Sequence, residues 1–167
     1  MTKPEELKQY VRDVPDYPKP GIVFRDITPL LGRKELFSEV VDLMSMSWSD
    51  RKVDLVAAIE ARGFIPGAAI AVKLNAGFVP IRKTGKLPWK TISDAYQLEV
   101  HSDAVERGQR VLIVDDVLAT GGTAAAAVRL MRKLGGEVVG VQVLIELEGL
   151  GGRKRLPDVE VVSEIVY

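Results

Sequence analysis

The segment VLIVDDVLATGGT at residues 111–123 constrains the fold more than any other stretch of the chain. Four consecutive apolar residues, Val111 to Val114, suit a strand buried on both faces, and such strands belong to parallel sheets covered by helices on each side. Asp115 and Asp116 follow at the carboxyl end, where open α/β sheets bind their ligands. Successive strand residues point to opposite sides, so a regular strand aims one acid at a given ligand. A bend there would let both acids reach the vicinal hydroxyls of a ribose. Ala119, Thr120, Gly121, Gly122 and Thr123 then open a helical run. Small residues, backbone N–H groups, two hydroxyls and a helix dipole together make a cradle for a monophosphate. No lysine follows the glycines in the GK[ST] arrangement, which argues against an ATPase loop of the Walker type. The plainer reading is a solvated strand end and a turn capped by Thr123; it leaves the coincidence of acids, small-residue loop and helix unexplained.

The rest of the chain alternates in the same way. Residues 54–60 and 78–83 read as strands, with a helix of small residues between them from residue 64 to 75. Residues 123–135 read as a helix and 138–147 as a further strand. Right-handed crossovers then give an α/β fold, a Rossmann-like mostly parallel sheet with helices on both faces. Upstream, Leu7, Tyr10, Val11 and Val14 predict a helix over 4–14. Pro15, Pro18, Pro20 and Pro29 hold residues 15–29 in extended or turn conformations, and 34–48 suits an amphipathic helix. Residues 84–100 are polar and rich in turn formers. The length fits a single domain spanning 1–167.

Composition removes several functions. With 23 basic and 23 acidic residues the chain has no field for nucleic acid, so any anion site must be local. No cysteine is present and His101 is the only histidine, which excludes disulfides, thiolate metal sites and a histidine-built metal centre. Neither a signal-peptide core nor a membrane-length apolar run occurs, which predicts a cytoplasmic protein without a membrane partner. His101 reads as a strand-end residue, and Arg153-Lys154-Arg155 as solvated surface.

VLIVDDVLATGGT resembles the 5-phosphoribosyl-1-pyrophosphate (PRPP) signature of type I phosphoribosyltransferases. The resemblance implies their fold, and a second anion site for the pyrophosphate leaving group. Glu60, Ala61, Arg62 and Gly63, after the 54–60 strand, match the family's pyrophosphate loop. Gly63 would permit an unusual backbone and close approach of oxygens, and Arg62 would hold a phosphate bidentately, unless it is an ordinary surface arginine. Arg82, Lys83 and Lys86 lie in a basic stretch that is either a flap closing over pyrophosphate, excluding water, or a solvated loop. The segments PDYPKPGIVFRDITPLL, EARGF, RKTGKLP and the signature together resemble, in order and spacing, the adenine phosphoribosyltransferases.

That resemblance implies a purine salvage enzyme that uses adenine and PRPP and gives AMP and pyrophosphate. It makes residues 1–33 a hood over the base and 82–100 a flexible flap. Backbone groups around Val23 and Arg25 would read the 6-amino donor and N1 acceptor of adenine, with Phe24 stacking and Leu147 lining the opposite face. Magnesium is implied through PRPP and water rather than through protein ligands, and a homodimer is implied as the assembly. A phosphoribosyltransferase for xanthine or orotate, or a regulator that binds PRPP without turnover, is the competing reading. Glu99 matches the family's flap as the general acid or base near N7 of the purine. The flap is several residues shorter than the family pattern, however, so Glu99 aligns either with the catalytic glutamate or with a later strand glutamate. A shortened flap also predicts weaker exclusion of water from the activated sugar.

Overall fold

A computed structural model of the protein describes residues 3–167. The chain opens with α1 (Pro4–Leu7), which carries Pro4 at its start where the missing N–H costs nothing, and continues through a 3-10 turn at Lys8–Tyr10. β1 (Arg12–Pro15) and β2 (Val23–Asp26) then pair antiparallel, from Arg12 opposite Asp26 to Pro15 opposite Val23. The helix expected over 4–14 is therefore cut short, and its last residues are strand. Pro15 disfavours a helical residue before it, and the proline-rich turn folds 23–26 back to satisfy the backbone of 12–15. α2 (Thr28–Leu31) and α3 (Lys34–Met46) follow, with Val40 and Met44 of α3 fully buried.

The main sheet is built from β3 (Leu55–Ile59), β4 (Gly77–Lys83), β5 (Thr91–Ser93), β6 (Leu98–His101), β7 (Arg110–Leu118), β8 (Glu137–Glu146) and β9 (Val161–Val166). Two helices, α4 (Phe64–Lys73) and α5 (Gly122–Lys133), cross between strands. The strand order is β5-β6-β4-β3-β7-β8-β9. The run from β4 through β9 is parallel, while β6 pairs antiparallel with both β4 and β5. The strands β5 and β9 lie where the sequence pattern predicts no strand, β6 ends at His101, and β7 runs two residues past the two acids instead of ending at them.

β7 feeds both layers. Val111 and Ile113 pack with α5 residues Ala126, Leu130 and Met131 on one face; Leu112 and Val114 pack with Val40, Met44 and Ile70 of α3 and α4 on the other. All four β7 side chains are fully buried, and each contributes about 1.5–3 kcal/mol of hydrophobic stabilisation. The centre of the molecule is thus the strand that carries Asp115 and Asp116. From β3 the chain passes to β4 on one side, while β7 lies on the other. The crevice between the carboxyl ends of β3 and β7 is therefore a topological switch point, the place where such sheets bind ligands.

Candidate active site

Two adjoining cavities open at that switch point. The smaller, about 80 Å³, is walled by Asp115 and by residues 117–124, the expected monophosphate cradle. The larger, about 480 Å³, is lined by Glu60, Ala61, Arg62, Lys83, Tyr96, Asp115, Asp116 and Thr123 among others. Both acids reach the same cavity although they are neighbours on a strand. Asp115 Oδ1 accepts the backbone N–H of Asp116 at 2.9 Å, which turns that carboxyl along the chain.

The cradle owes its shape to close packing. Gly121 sits at φ +80°, a left-handed conformation, and a Cβ there would fall 2.9 Å from the carbonyl carbon of Gly152. Only glycine meets both demands. α5 starts without a side-chain cap, so Thr123 is not the capping residue of the plainer reading. Its first N–H groups have no partner within the helix, and Gly122, Thr123 and Ala124 line the cavity.

Asp115 is raised well above the usual carboxyl range, first by burial and then by the charge of Asp116. Asp116 is nearly buried, and its Oδ2 lies 2.7 Å from Arg62 Nε without hydrogen-bond alignment. Arg62 spans the site. Its Nη1 donates to the Arg25 carbonyl at 3.4 Å, and its guanidinium stands 4.4 Å from the centroid of the Phe24 ring. One arginine thus joins Asp116 to the strand β2 that carries Val23, Phe24 and Arg25, and it is not a plain surface arginine. That strand is fastened elsewhere as well. Tyr17 packs edge-on to Phe24 at 5.3 Å, and Arg25 pairs with Asp13 while lying 3.9 Å over the Tyr167 ring. Leu147, just past β8, donates its N–H to the Leu118 carbonyl and packs into the same core layer as α3.

Gly63 departs from expectation. Its backbone is ordinary for a helix start, and the close approach it allows is to Asp115: a Cβ would fall 2.8 Å from Asp115 Oδ1 and 2.5 Å from the Ile59 carbonyl oxygen. Glu60 faces the flap, where its carboxylate accepts the Lys83 N–H and lies 3.4 Å from Arg82 Nη2. Arg82 also donates to the Lys86 carbonyl, so it braces the flap turn and does not line the cavity, whereas Lys83 does. Lys86 likewise lies outside the lining.

Glu99 is buried on β6, opposite Arg82 and Ser93. Its Oε1 accepts the backbone N–H groups of Lys86 at 3.0 Å and Leu87 at 2.8 Å, and these bonds, that to Leu87 foremost, lower its pKa. It is absent from the cavity lining, where the carboxylates are Glu60, Asp115 and Asp116. From β6 it holds the turn at Lys86 and Leu87. His101 ends β6, as expected for a strand-end residue. Arg153 is not the solvated residue expected, because it holds Glu146 with two 2.7 Å contacts and donates to the Val161 carbonyl and Ser163. Tyr96 and Gln97, which line the cavity from the flap, are not marked by the sequence motifs. An aromatic inside the polar stretch 84–100 is the one signal that points to them.

Residues 30–166 match the model of the phosphoribosyl transferase domain. An adenine phosphoribosyltransferase of Thermotoga petrophila is 59% identical over 169 residues, covering 97% of this chain and 99% of that protein. The chain belongs to the adenine phosphoribosyltransferases. A Geobacter metallireducens member of the family is 52% identical, covering 98% of this chain and 99% of its own length. Among solved structures, the adenine phosphoribosyltransferase of Thermoanaerobacter pseudethanolicus superposes with a TM-score of 0.95 at 49% identity, covering 98% of this chain and 99% of that one. The Saccharomyces cerevisiae enzyme, complexed with an imino-altritol bisphosphate and adenine, superposes with a TM-score of 0.90 at 35% identity, covering 96% and 97%. The type I phosphoribosyltransferase fold expected from the signature is thus the observed one.

Proposed function

We propose that the protein is a purine salvage enzyme that transfers the 5-phosphoribosyl group of PRPP to adenine, giving AMP and pyrophosphate. One observation carries this reading: Arg62, which lines one cleft with Asp115, Asp116 and Thr123, touches both Asp116 and the strand Val23–Asp26. The 5′-phosphate would take the N–H groups and hydroxyls of 119–123, and Asp115 and Asp116 would accept the ribose hydroxyls. Pyrophosphate would lie towards Ala61, Arg62 and Lys83, with Arg82, Lys86 and Glu60 shaping the turn behind it. Adenine would enter between Phe24 and Leu147, read by the backbone of Val23 and Arg25.

Displacement at the anomeric carbon develops positive charge on the ribose, which the paired carboxylates stabilise as it forms. Arg62 would leave Asp116 for the departing pyrophosphate, so that the acids face the sugar as its charge rises. Magnesium belongs to this proposal as a companion of PRPP. Asp116 Oδ2 is a buried carboxylate oxygen without an aligned hydrogen bond, and such hard oxygens suit that cation. When bound, it would neutralise the pyrophosphate. We assign Glu99 to the flap turn and not to proton transfer. A cytoplasmic location, a single domain and a homodimer complete the reading.

The test is AMP and pyrophosphate formation from adenine and PRPP with magnesium, repeated with xanthine and orotate. Equimolar AMP and pyrophosphate, with adenine far ahead of the other bases, is the expected outcome. PRPP binding without AMP formation would make the protein a regulator and overturn the proposal.

A further inference from the structure

The 5′-phosphate cradle has no cationic side chain of its own, since residues 117–124 offer only N–H groups and hydroxyls beside the carboxylate of Asp115. A helix N-terminus carries the equivalent of about half a positive charge, which offsets a phosphate dianion only in part. One flap residue stands beside this cradle. Tyr96 lies in the turn between β5 and β6 and lines the cleft with Asp115 and Thr123. Its ring covers the first residue of α5: a Cβ on Gly122 would fall 2.5 Å from the phenol oxygen and 2.6 Å from Cζ. Gly122 is not among the glycines of positive φ, so its missing side chain serves this contact and not a backbone bend.

Arg155 Nη1 donates to the Tyr96 hydroxyl oxygen, from a 3-10 segment that also packs on Gly121. With its oxygen accepting from Arg155, the hydroxyl has its own hydrogen to give, beside the free N–H groups of α5. Asp94, in the same turn, holds Arg129 of α5 with two 2.9 Å bonds, so the tyrosine is anchored from both sides.

We propose that Tyr96, positioned by Arg155, donates a hydrogen bond to the 5′-phosphate, and that the pair supplies the cationic wall the cradle lacks. The proposal rests on reading residues 119–123 as the 5′-phosphate site. Tyr96 is then a substrate-binding residue, and Arg155 a positioning residue that acts through it.

Binding of AMP, ribose 5-phosphate and adenosine, measured by calorimetry on the full chain, tests this. Tyr96→Phe keeps the ring over Gly122 and removes the hydroxyl. The expected result is AMP and ribose 5-phosphate affinity weakened about tenfold, the size of one lost hydrogen bond to a charged group, with adenosine affinity at the wild-type value. Arg155→Gln is expected to act in the same direction by a smaller factor, and the kinetic loss to fall on KM for PRPP. Wild-type ribose 5-phosphate affinity in Tyr96→Phe overturns the proposal. So does equal weakening of AMP and adenosine, which is the mark of a merely structural role. If the wild-type protein itself binds AMP no better than adenosine, the cradle reading falls, whatever the variants do.

Discussion

The phosphate loop and the flap face each other across one cleft, yet they are held by different means. The loop grows out of β7, which is paired along both edges by β3 and β8, and its bends are fixed by backbone packing such as Gly121 against Gly152. The flap strands β5 and β6 lie at the edge of the sheet and are three and four residues long. They are secured by side-chain links: Glu99 to the Lys86 and Leu87 amides, Asp94 to Arg129, and Tyr96 to Arg155. Backbone packing in a core opens only with global unfolding, whereas links of this kind open at low free energy. Under the proposed function, the loop would be a preformed anion site beside a cover that admits substrate and releases product.

The sharpest way to break this contrast is a matched pair of glycine substitutions. Gly121 and Gly85 both have positive φ, at 80° and 89°, but a Cβ at Gly85 meets nothing within 4 Å. Gly121→Ala is expected to cost about 3 kcal/mol, from left-handed strain together with overpacking, and Gly85→Ala about 1 kcal/mol from strain alone. Urea denaturation of the two variants measures both, and equal costs would remove the claim that packing holds the loop.

Next in size is Asp115→Asn. Burial and Asp116 raise the Asp115 carboxyl in the folded protein, so the folded state binds its proton more tightly than the unfolded chain does. Its ionisation therefore costs stability. That cost is absent below the ordinary carboxyl value of 3.8 and grows as the pH rises towards the raised pKa. The variant is expected to melt higher than wild type at pH 7, with a gain that shrinks on acidification, while kcat/KM falls about a hundredfold through the lost carboxyl at the ribose. A variant that melts lower at every pH would show that Asp115 is not held at a cost to stability.

How far each region is legible in the sequence reflects the same division. Val111 to Val114 announce a doubly buried strand because that environment demands an unbroken apolar run, and the small residues after it announce a backbone cradle. The flap's contacts join residues far apart, 59 positions between Tyr96 and Arg155 and 35 between Asp94 and Arg129, so no local period reports them. Arg62 is legible as an anion ligand, but its grip on Asp116 and Phe24 depends on three elements meeting in space. The expected helix over 4–14 fails for a related reason. Leu7 and Val11 are buried as a helical period requires, and only the return of β2 shows that the chain beyond them is extended.

Glu99→Ala sharpens the comparison from the flap side. Removing the acceptor frees the amides of Lys86 and Leu87 and loosens the basic turn, so KM for PRPP is expected to rise about fivefold, the scale of a modest hydrogen-bond loss, with kcat largely kept. Steady-state kinetics with adenine saturating separates the two parameters. A collapse of kcat at unchanged KM would return Glu99 to the proton-transfer role that its position in the sequence also allows.

The smallest expected effect comes from Asp94→Asn, which weakens one anchor of the flap without touching the cleft lining. Arg129 is half exposed, so solvent screens the pair and its contribution is about 0.5 kcal/mol, roughly a twofold change in the fraction of open flap. The Arg129 hydrogen bonds hold the Asp94 carboxyl below its ordinary value of 3.8. The anchor is therefore complete above that value and is lost as the pH falls through the lowered pKa. Limited proteolysis within residues 84–97 at neutral pH should run about twice as fast in the variant as in wild type. The difference should narrow in high salt, as ions screen an exposed pair. Equal cleavage rates at low salt would mean that backbone pairing holds the flap as firmly as it holds the loop, and the division between the two regions would disappear.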